Sequence, residues 1–180
     1  MQTYTEKRKA THETLKEEFE YKNIMQAPRI EKIVVSTGIG KIADAKKIEL
    51  IQERLAKITG QKAAPRGAKQ SIASFKLREG DIIGYQVTLR GQRKEDFFDK
   101  LVHIALPRMR DFRGIKPEAI DEVGNITIGI KEHTIFPETS DEEQRNVFGL
   151  AITIVTTAKT REEAEAFLRY MGVPLKKREE

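Results

Sequence analysis

The chain has 180 residues, of which 34% are charged and 38% hydrophobic, with a formal net charge of +5 at pH 7. This composition excludes a disordered chain and predicts a soluble single domain over residues 1–180. The chain contains no cysteine, which excludes disulfides, thiolate metal sites and a cysteine nucleophile. No apolar run approaches the ~18 residues of a membrane span and the first residues lack a signal-peptide core, so we expect a cytosolic protein with no membrane partner.

Apolar periodicity divides the chain into alternating helices and strands. We predict, in chain order, an N-terminal helix over 1–22, a strand over 30–37, a helix over 45–59, a strand over 84–90, a helix over 95–106, strands over 126–130 and 151–157, and a helix over 161–171. Asp44 and Gly60 are typical of the two ends of a helix, as are the Thr160–Glu163 capping box and Gly172. The order favours an α+β sandwich with helices on one face of a mostly antiparallel sheet.

The stretch from Gly60 to Arg78 contains five cations and no carboxylate. The cations are Lys62, Arg66, Lys69, Lys76 and Arg78. Small residues separate them, and Phe75 is the one aromatic residue among them. We interpret residues 61–83 as a basic protruding loop or hairpin whose cations replace counterions on a phosphate chain, so nucleic acid is the first partner to consider.

Period-two alternation in the strands also predicts a polar sheet face opposite the isoleucines. Its residues are Lys32, Ser36, Gln86, Thr88, Arg90, Thr127, Gly129, Lys131 and Thr153, with no carboxylate among them. Two interpretations remain open. The face is a wetted exterior, as antiparallel sheets allow, or its short hydroxyl side chains admit an RNA minor groove while Arg90 and Lys32 hold phosphates.

Charge is also divided along the chain. Residues 60–116 contain 13 lysines and arginines against 6 acids, whereas residues 118–143 contain eight acids and only Lys131 as a cation. One region therefore attracts a polyanion and another suits a basic partner. The arginines Arg108, Arg110 and Arg113 form a second cationic cluster, which either caps carbonyls and pairs with Asp111 or contacts RNA or protein.

The sequence motifs give little evidence for an enzyme. The turn Gly38–Ala43 matches G-x-G-x-x-A, yet no strand follows its helix at the distance that a dinucleotide site needs. A tight structural turn and an RNA phosphate contact remain the other interpretations of this turn. His12, His103 and His133 lack metal-ligand spacing, and nothing resembles a nucleophile elbow. We therefore expect no enzyme activity, no metal and no cofactor.

Motifs along nearly the whole chain resemble one family, the universal large-subunit ribosomal protein five of the bacterial type. They are Met25–Val35, Gly38–Gly40, Ile58–Lys62, Ser71–Arg78, Val87–Gly91, Ala105–Arg108, Arg110–Gly114, Ile135–Glu138 and Thr156–Lys159. Ser36 stands where this family usually has Asn, which shortens the reach of that side chain. Residues 120–126, the loop at 66–70 and His133 also depart from the usual pattern, and the loop carries fewer cations.

The resemblance implies a ferredoxin-like or RRM-like fold and a structural role in the large ribosomal subunit. It implies 5S ribosomal RNA contacts from Arg29, Lys32, Ser36, Gln61, Lys62, Thr88 and Arg90. It implies that a loop reaches peptidyl-site tRNA and ribosomal RNA through Arg66, Lys69, Gln70, Ser71, Phe75, Lys76 and Arg78. It implies an intersubunit bridge to a basic protein of the small-subunit head through Arg108, Arg110, Arg113, Asp141 and Glu142. Further implied partners are 23S ribosomal RNA and other proteins of the central protuberance. The alternative is a stand-alone RNA-binding regulator or ribosome-associated factor.

Overall fold

Four α-helices and five β-strands form the framework of the described chain. The computed structural model describes residues 3–40, 44–141 and 146–176. The helices are α1 (Tyr4–Phe19), α2 (Ala45–Thr59), α3 (Gly91–Lys100) and α4 (Arg161–Met171). The strands are β1 (Ile30–Gly38), β2 (Ala64–Gly67), β3 (Ile82–Leu89), β4 (Ile126–Ile130) and β5 (Leu150–Thr156).

The strands form one antiparallel sheet in the order β2-β3-β1-β5-β4. The amide of Thr157 donates to the carbonyl of Arg29, and the hydroxyl of Thr37 donates to the carbonyl of Gly149, which fixes the antiparallel register of β1 and β5. This arrangement confirms the predicted α+β, ferredoxin-like fold. It also contains β2, which lies within the stretch for which the sequence predicts a loop or hairpin.

Helix α2 has the predicted ends. The Asp44 carboxylate accepts a hydrogen bond from the amide of Lys46 at 3.0 Å, and Gly60 takes the left-handed conformation that ends the helix (φ 66°). The predicted apolar stripe is buried at Ile51, Leu55 and Ile58. Residues at its two ends therefore predicted the bounds of this helix correctly. Gln61 follows directly after its C-terminal Gly60.

Helix α3 begins at Gly91, four residues before the start that acidic residues predicted at Glu95. Glu95 is buried and accepts hydrogen bonds from Arg8 and Thr5 of α1, each at 2.9 Å. The Glu95 carboxylate therefore bonds to α1 and does not mark the N-terminus of α3. A π-helical segment, Leu101–Ala105, continues α3 toward Pro107.

Helix α4 keeps only half of its predicted capping box. The Thr160 hydroxyl accepts from the Glu163 amide at 3.2 Å, as expected. The Glu163 carboxylate instead accepts from the Lys159 amide at 2.7 Å and from the Tyr21 hydroxyl at 2.6 Å. Glu163 therefore ties the segment after α1 to the start of α4.

The chain divides into two compact units, each with its own close packing. The first unit comprises the described parts of residues 1–33, 90–128 and 153–180, and the second comprises those of residues 34–89 and 129–152. In the first unit, the ring of Tyr4 packs against that of Phe98 with centroids 5.4 Å apart. In the second, His133 stacks on Phe148 at 4.0 Å. The expectation of one domain over 1–180 stays a prediction.

Candidate nucleic-acid interface

Alternation along β1 and β3 gives the second unit a polar surface. Val35, Val87 and Leu89 are buried, while Ser36 and Thr88 between them are half-buried. The hydroxyls of Ser36 and Thr88 make no hydrogen bond within the part of the chain that the structure describes. A hydroxyl without an internal partner can donate to and accept from a bound molecule.

Gln61 reaches this surface from the end of α2. Its side-chain Nε2 donates to the backbone carbonyl of Thr88 at 3.3 Å, although the two residues lie 27 positions apart. Gln61 is half-buried, and the neighbouring Lys62 is exposed. The structure therefore brings together Gln61 and Thr88, two of the residues that the resemblance assigned to RNA.

Arg66 lies on β2, within residues 61–83, for which the sequence predicts a basic protruding loop or hairpin. Its guanidinium Nε donates to the Gln86 side-chain oxygen on β3, and the backbones of Ala64 and Gln86 are paired. Strand β2 is exposed at all four positions and shows no alternation, so apolar periodicity alone did not mark it as a strand. Gln86 was absent from the predicted contact residues, although the alternation of β3 placed it on the same face as Thr88.

The first unit carries three further cations that the resemblance assigned to 5S ribosomal RNA. Arg29 and Arg90 are exposed and Lys32 is half-buried. Arg90 occupies the N-cap position of α3, yet its side chain makes no capping bond. Alternation fails between the buried residues Ile30 and Ile33, which leaves Glu31 exposed beside Lys32.

Two threonines of the first unit form a polar pair on β4 and β5. The hydroxyls of Thr127 and Thr153 lie 3.0 Å apart across the two strands. Thr127 is exposed and Thr153 is half-buried, while Ile126, Ile128 and Ile154 are buried. The predicted inward isoleucines and outward threonines are therefore confirmed on both strands.

The basic loop, defined here as residues 68–81, contains all the other predicted loop residues. Lys69, Gln70, Ser71, Phe75, Lys76 and Arg78 are exposed. The Ser71 hydroxyl accepts from the Glu79 amide at 2.9 Å, and the Asp81 carboxylate accepts from the Arg78 amide at 2.8 Å. The loop therefore folds on itself. The Asp81 carboxylate, near its base, accepts from a backbone amide and does not pair with a cation in the described chain.

Some cations outside the predicted contact surfaces have carboxylate partners. Arg8, Lys57 and Arg169 on the helices pair with carboxylates at 2.8–3.0 Å. In the described ranges, none of the cations predicted to contact RNA or the bridge partner has a carboxylate within 4.0 Å. Unpaired cations suit binding to a partner that brings negative charge.

Lys94 is a cation of another kind. It is buried, and its ammonium donates to the carbonyl of Ile30 at 2.9 Å, with Nζ 5.6 Å from the centroid of the Tyr4 ring. Burial lowers the pKa of Lys94, the neighbouring Glu95 carboxylate opposes that shift, and Arg8 and Arg29 reinforce it. Lys94 therefore joins the start of α3 to β1 and has a structural role.

The arginine cluster after α3 is exposed at Arg108, Arg110 and Arg113. Asp111 takes a left-handed conformation (φ 53°) and pairs with none of the three within the described chain. The alternative that these arginines cap carbonyls and pair with Asp111 finds neither contact among the described residues. Asp141, in the second unit, is exposed, and Glu142 lies outside the described residues.

A groove of about 450 Å³ in the second unit lies beside Ser36. Gly38, Gly129 and Lys131 are among its lining residues. Gly38 and Gly40 have no left-handed φ, and a Cβ atom on either would meet nothing within 4 Å. The protein itself therefore does not require glycine at these two positions, and Lys41–Ala43, the rest of the predicted turn, lie outside the described residues.

Neither a metal site nor a membrane segment is found in the described parts of the chain. No cluster there contains three or more residues of the types that ligate metals, and none of the helices is both long and apolar enough to cross a bilayer.

Comparison with known proteins agrees with this geometry. Residues 23–78 match the family described as ribosomal protein L5, and residues 82–175 match the model of that ribosomal family's C-terminus. The large ribosomal subunit protein uL5 of Anaeromyxobacter sp. (strain K) is 52% identical over 163 residues, covering 90% of this chain and 91% of that protein. The uL5 protein of Halothermothrix orenii is 50% identical over 161 residues, covering 89% and 90%. The chain therefore belongs to the ribosomal protein L5 family.

Proposed function

We propose that this protein anchors 5S ribosomal RNA in the large ribosomal subunit through the polar residues of its sheet. As a member of the ribosomal protein L5 family, it is a structural, non-enzymatic constituent of that subunit with ribosomal RNA as its general partner. The proposal adds the identity of the RNA, the residues that bind it and two further contacts.

The observation that carries the proposal is the set of free polar groups on the sheet of the second unit. The hydroxyls of Ser36 and Thr88 have no partner in the described chain, and Gln61 is held beside Thr88. Short hydroxyl side chains let the wide minor groove of an RNA helix come close enough to bond its 2′-hydroxyls. Lys62 provides a nearby charge for phosphates, and Arg29, Lys32 and Arg90 do the same in the first unit.

We assign the basic loop to peptidyl-site tRNA. Lys69, Lys76 and Arg78 are exposed and lack carboxylate partners in the described residues. Such cations gain free energy by displacing the counterions of a polyanion. The loop extends from β2 and β3, so this contact can form without disturbing the sheet.

The arginine cluster and the acidic segment are the proposed contacts across the subunit interface. Arg108, Arg110 and Arg113 are exposed and unpaired within the described chain, and Asp141 is exposed. A basic protein of the small-subunit head would complement Asp141 and the neighbouring acids of the sequence.

The test is binding of the purified protein to 5S ribosomal RNA, measured by filter retention. Thr88→Val replaces the free hydroxyl by a methyl group of the same size, and we expect affinity to fall by about 1–3 kcal/mol, the cost of leaving a buried polar group without its partner. Thr14→Val makes the same change at an exposed position of α1, where the hydroxyl donates to the carbonyl of Ala10 at 3.0 Å, and this control should bind normally. Equal affinity of the two variants would refute the sheet-face contact.

The stand-alone regulator or associated factor makes a different prediction. A structural constituent stays on large subunits in equimolar amount during sucrose-gradient sedimentation at high salt. A factor that binds the ribosome only transiently dissociates under the same conditions, because its contacts are mainly electrostatic and salt screens them.

A further inference from the structure

The tip of the basic loop is a hydrogen-bonded turn. Ile72 and Leu77 form an antiparallel bridge, with N–O distances of 3.0 and 3.2 Å between their backbones. Within it, the Phe75 amide donates to the carbonyl of Ile72 at 3.2 Å, and Lys76 takes a left-handed conformation (φ 52°). The turn places Phe75 at the end of the loop.

Phe75 has the most exposed large hydrophobic side chain of the described residues, at 77%. Burying a phenylalanine is worth roughly 1.5–3 kcal/mol, so an ordered turn that keeps one in water forgoes that stabilisation. In the described chain no aromatic ring and no cation lies against the Phe75 ring. Most of the ring surface is therefore open to a partner.

The surroundings of the ring indicate which partner fits. Lys69, Lys76 and Arg78 have no carboxylate partner in the described residues, and the Asp81 carboxylate is occupied by the Arg78 amide. An open aromatic face among unpaired cations matches a base with its adjoining phosphates, because any base can stack on a ring while cations bind the backbone. An apolar protein pocket would instead have to be acidic around its edge.

We propose that Phe75 is a stacking platform for an unpaired base, so that the basic loop binds RNA that displays an unstacked nucleotide. This inference rests on the proposed contact of the loop with RNA, and it adds the kind of RNA that is recognised. A regular duplex hides its base faces within the stack and offers only phosphates and groove edges to the loop.

The chain contains no tryptophan, so Phe75→Trp places a single indole at the tip. We expect a short single-stranded RNA to quench its fluorescence and to bind more tightly than a hairpin duplex of the same composition. Val123→Trp, at a position that is 64% exposed in the first unit, is the matched control and should respond equally weakly to both RNAs. Equal responses of Phe75→Trp to the two RNAs, or none, would overturn the inference, as would quenching by an acidic peptide alone.

Two further variants separate this inference from the proposed loop contact. Phe75→Leu should reduce affinity for the single strand by roughly 5- to 150-fold, the range expected for one base stack, without changing the salt dependence. Lys76→Ala should instead lower the slope of log affinity against log salt by about 0.7. If Phe75→Leu binds normally while Lys76→Ala changes the slope, the loop contacts phosphates only and the stacking inference is wrong. If neither variant changes binding, the proposed RNA contact of the loop is also wrong.

Discussion

The side-chain amide of Gln61 donates a hydrogen bond to the backbone carbonyl of Thr88, with an N–O distance of 3.3 Å. This bond joins the segment after α2 to strand β3 inside the second unit. It uses one amide hydrogen of Gln61 and leaves its oxygen, like the Thr88 hydroxyl, without a partner in the described chain.

Changing Gln61 to Glu should weaken binding of 5S ribosomal RNA by about 1–3 kcal/mol, because the variant loses the donor to Thr88 and adds a negative charge near phosphates. Filter binding at low and high salt measures the effect, which should shrink as salt screens the repulsion. Gln52→Glu, on α2, makes the same charge change at a position outside the predicted contact residues. Similar losses in both variants would show that net charge alone accounts for the effect.

Arg90→Ala should also cost about 1–3 kcal/mol of affinity for 5S ribosomal RNA, since a charge-assisted hydrogen bond to phosphate is lost in a desolvated interface. Arg93→Ala is its matched control, because Arg93 is likewise exposed and lies three positions further along the same helix. The two purified variants are compared by filter retention. An Arg90→Ala variant that binds like Arg93→Ala contradicts the assignment of Arg90.

Replacing residues 70–79 by Asn-Gly should remove the tip of the basic loop and leave the sheet intact. Ala68 is bonded to Asp81 and Gly80 at 2.9 and 3.0 Å, and these bonds lie outside the deletion. We expect normal 5S ribosomal RNA affinity and weaker retention of peptidyl-site tRNA on reassembled ribosomes. Loss of 5S affinity would show that the sheet and the loop do not act separately.

The buried hydroxyl of Tyr21 should make the stability of the protein depend on pH. Burial, followed by the hydrogen bond to Glu163, raises the pKa of the Tyr21 hydroxyl above its usual value of 10.0. Because the folded pKa exceeds the unfolded one, this stabilisation is fully present below about pH 10 and is lost as the pH rises further. Tyr21→Phe should flatten the fall in the free energy of unfolding above that pH.

The same variant should lose about 1 kcal/mol of stability at neutral pH, because Glu163 loses one of its donors. Urea unfolding at several pH values measures both effects. Tyr4 also has a pKa raised by burial, so part of the alkaline loss should remain in Tyr21→Phe. An unchanged pH profile would show that the Tyr21–Glu163 bond does not persist in solution.

Local patterns predicted much of the fold. Asp44 and Gly60 fixed both ends of α2, and alternation placed Ser36, Thr88 and Thr127 on the polar face, since these features depend on neighbours in sequence. Strand β2 was not delimited within the predicted loop or hairpin, because Ala64–Gly67 is exposed at every position and contains a proline, so neither alternation nor propensity marks it. The start of α3 at Gly91 was missed because Glu95, which was expected in the first turn, instead accepts hydrogen bonds from Thr5 and Arg8 of α1.

The long-range contacts of the site had no sequence signal. The Gln61–Thr88 and Arg66–Gln86 bonds join residues 27 and 20 positions apart, and only the closure of α2 and β2 against β3 creates them. The resemblance named Gln61 and Thr88 without showing how they meet. The self-folded tip that holds Phe75 was likewise missed, because the same composition is typical of a flexible cationic loop.

The most direct test of the central claim is hydroxyl-radical footprinting of the purified protein on total ribosomal RNA. We predict protection within 5S ribosomal RNA that disappears with Thr88→Val and Arg90→Ala and persists when residues 70–79 are replaced. Protection that survives both sheet variants, or a footprint that leaves 5S ribosomal RNA untouched, would contradict binding through the polar face of the sheet.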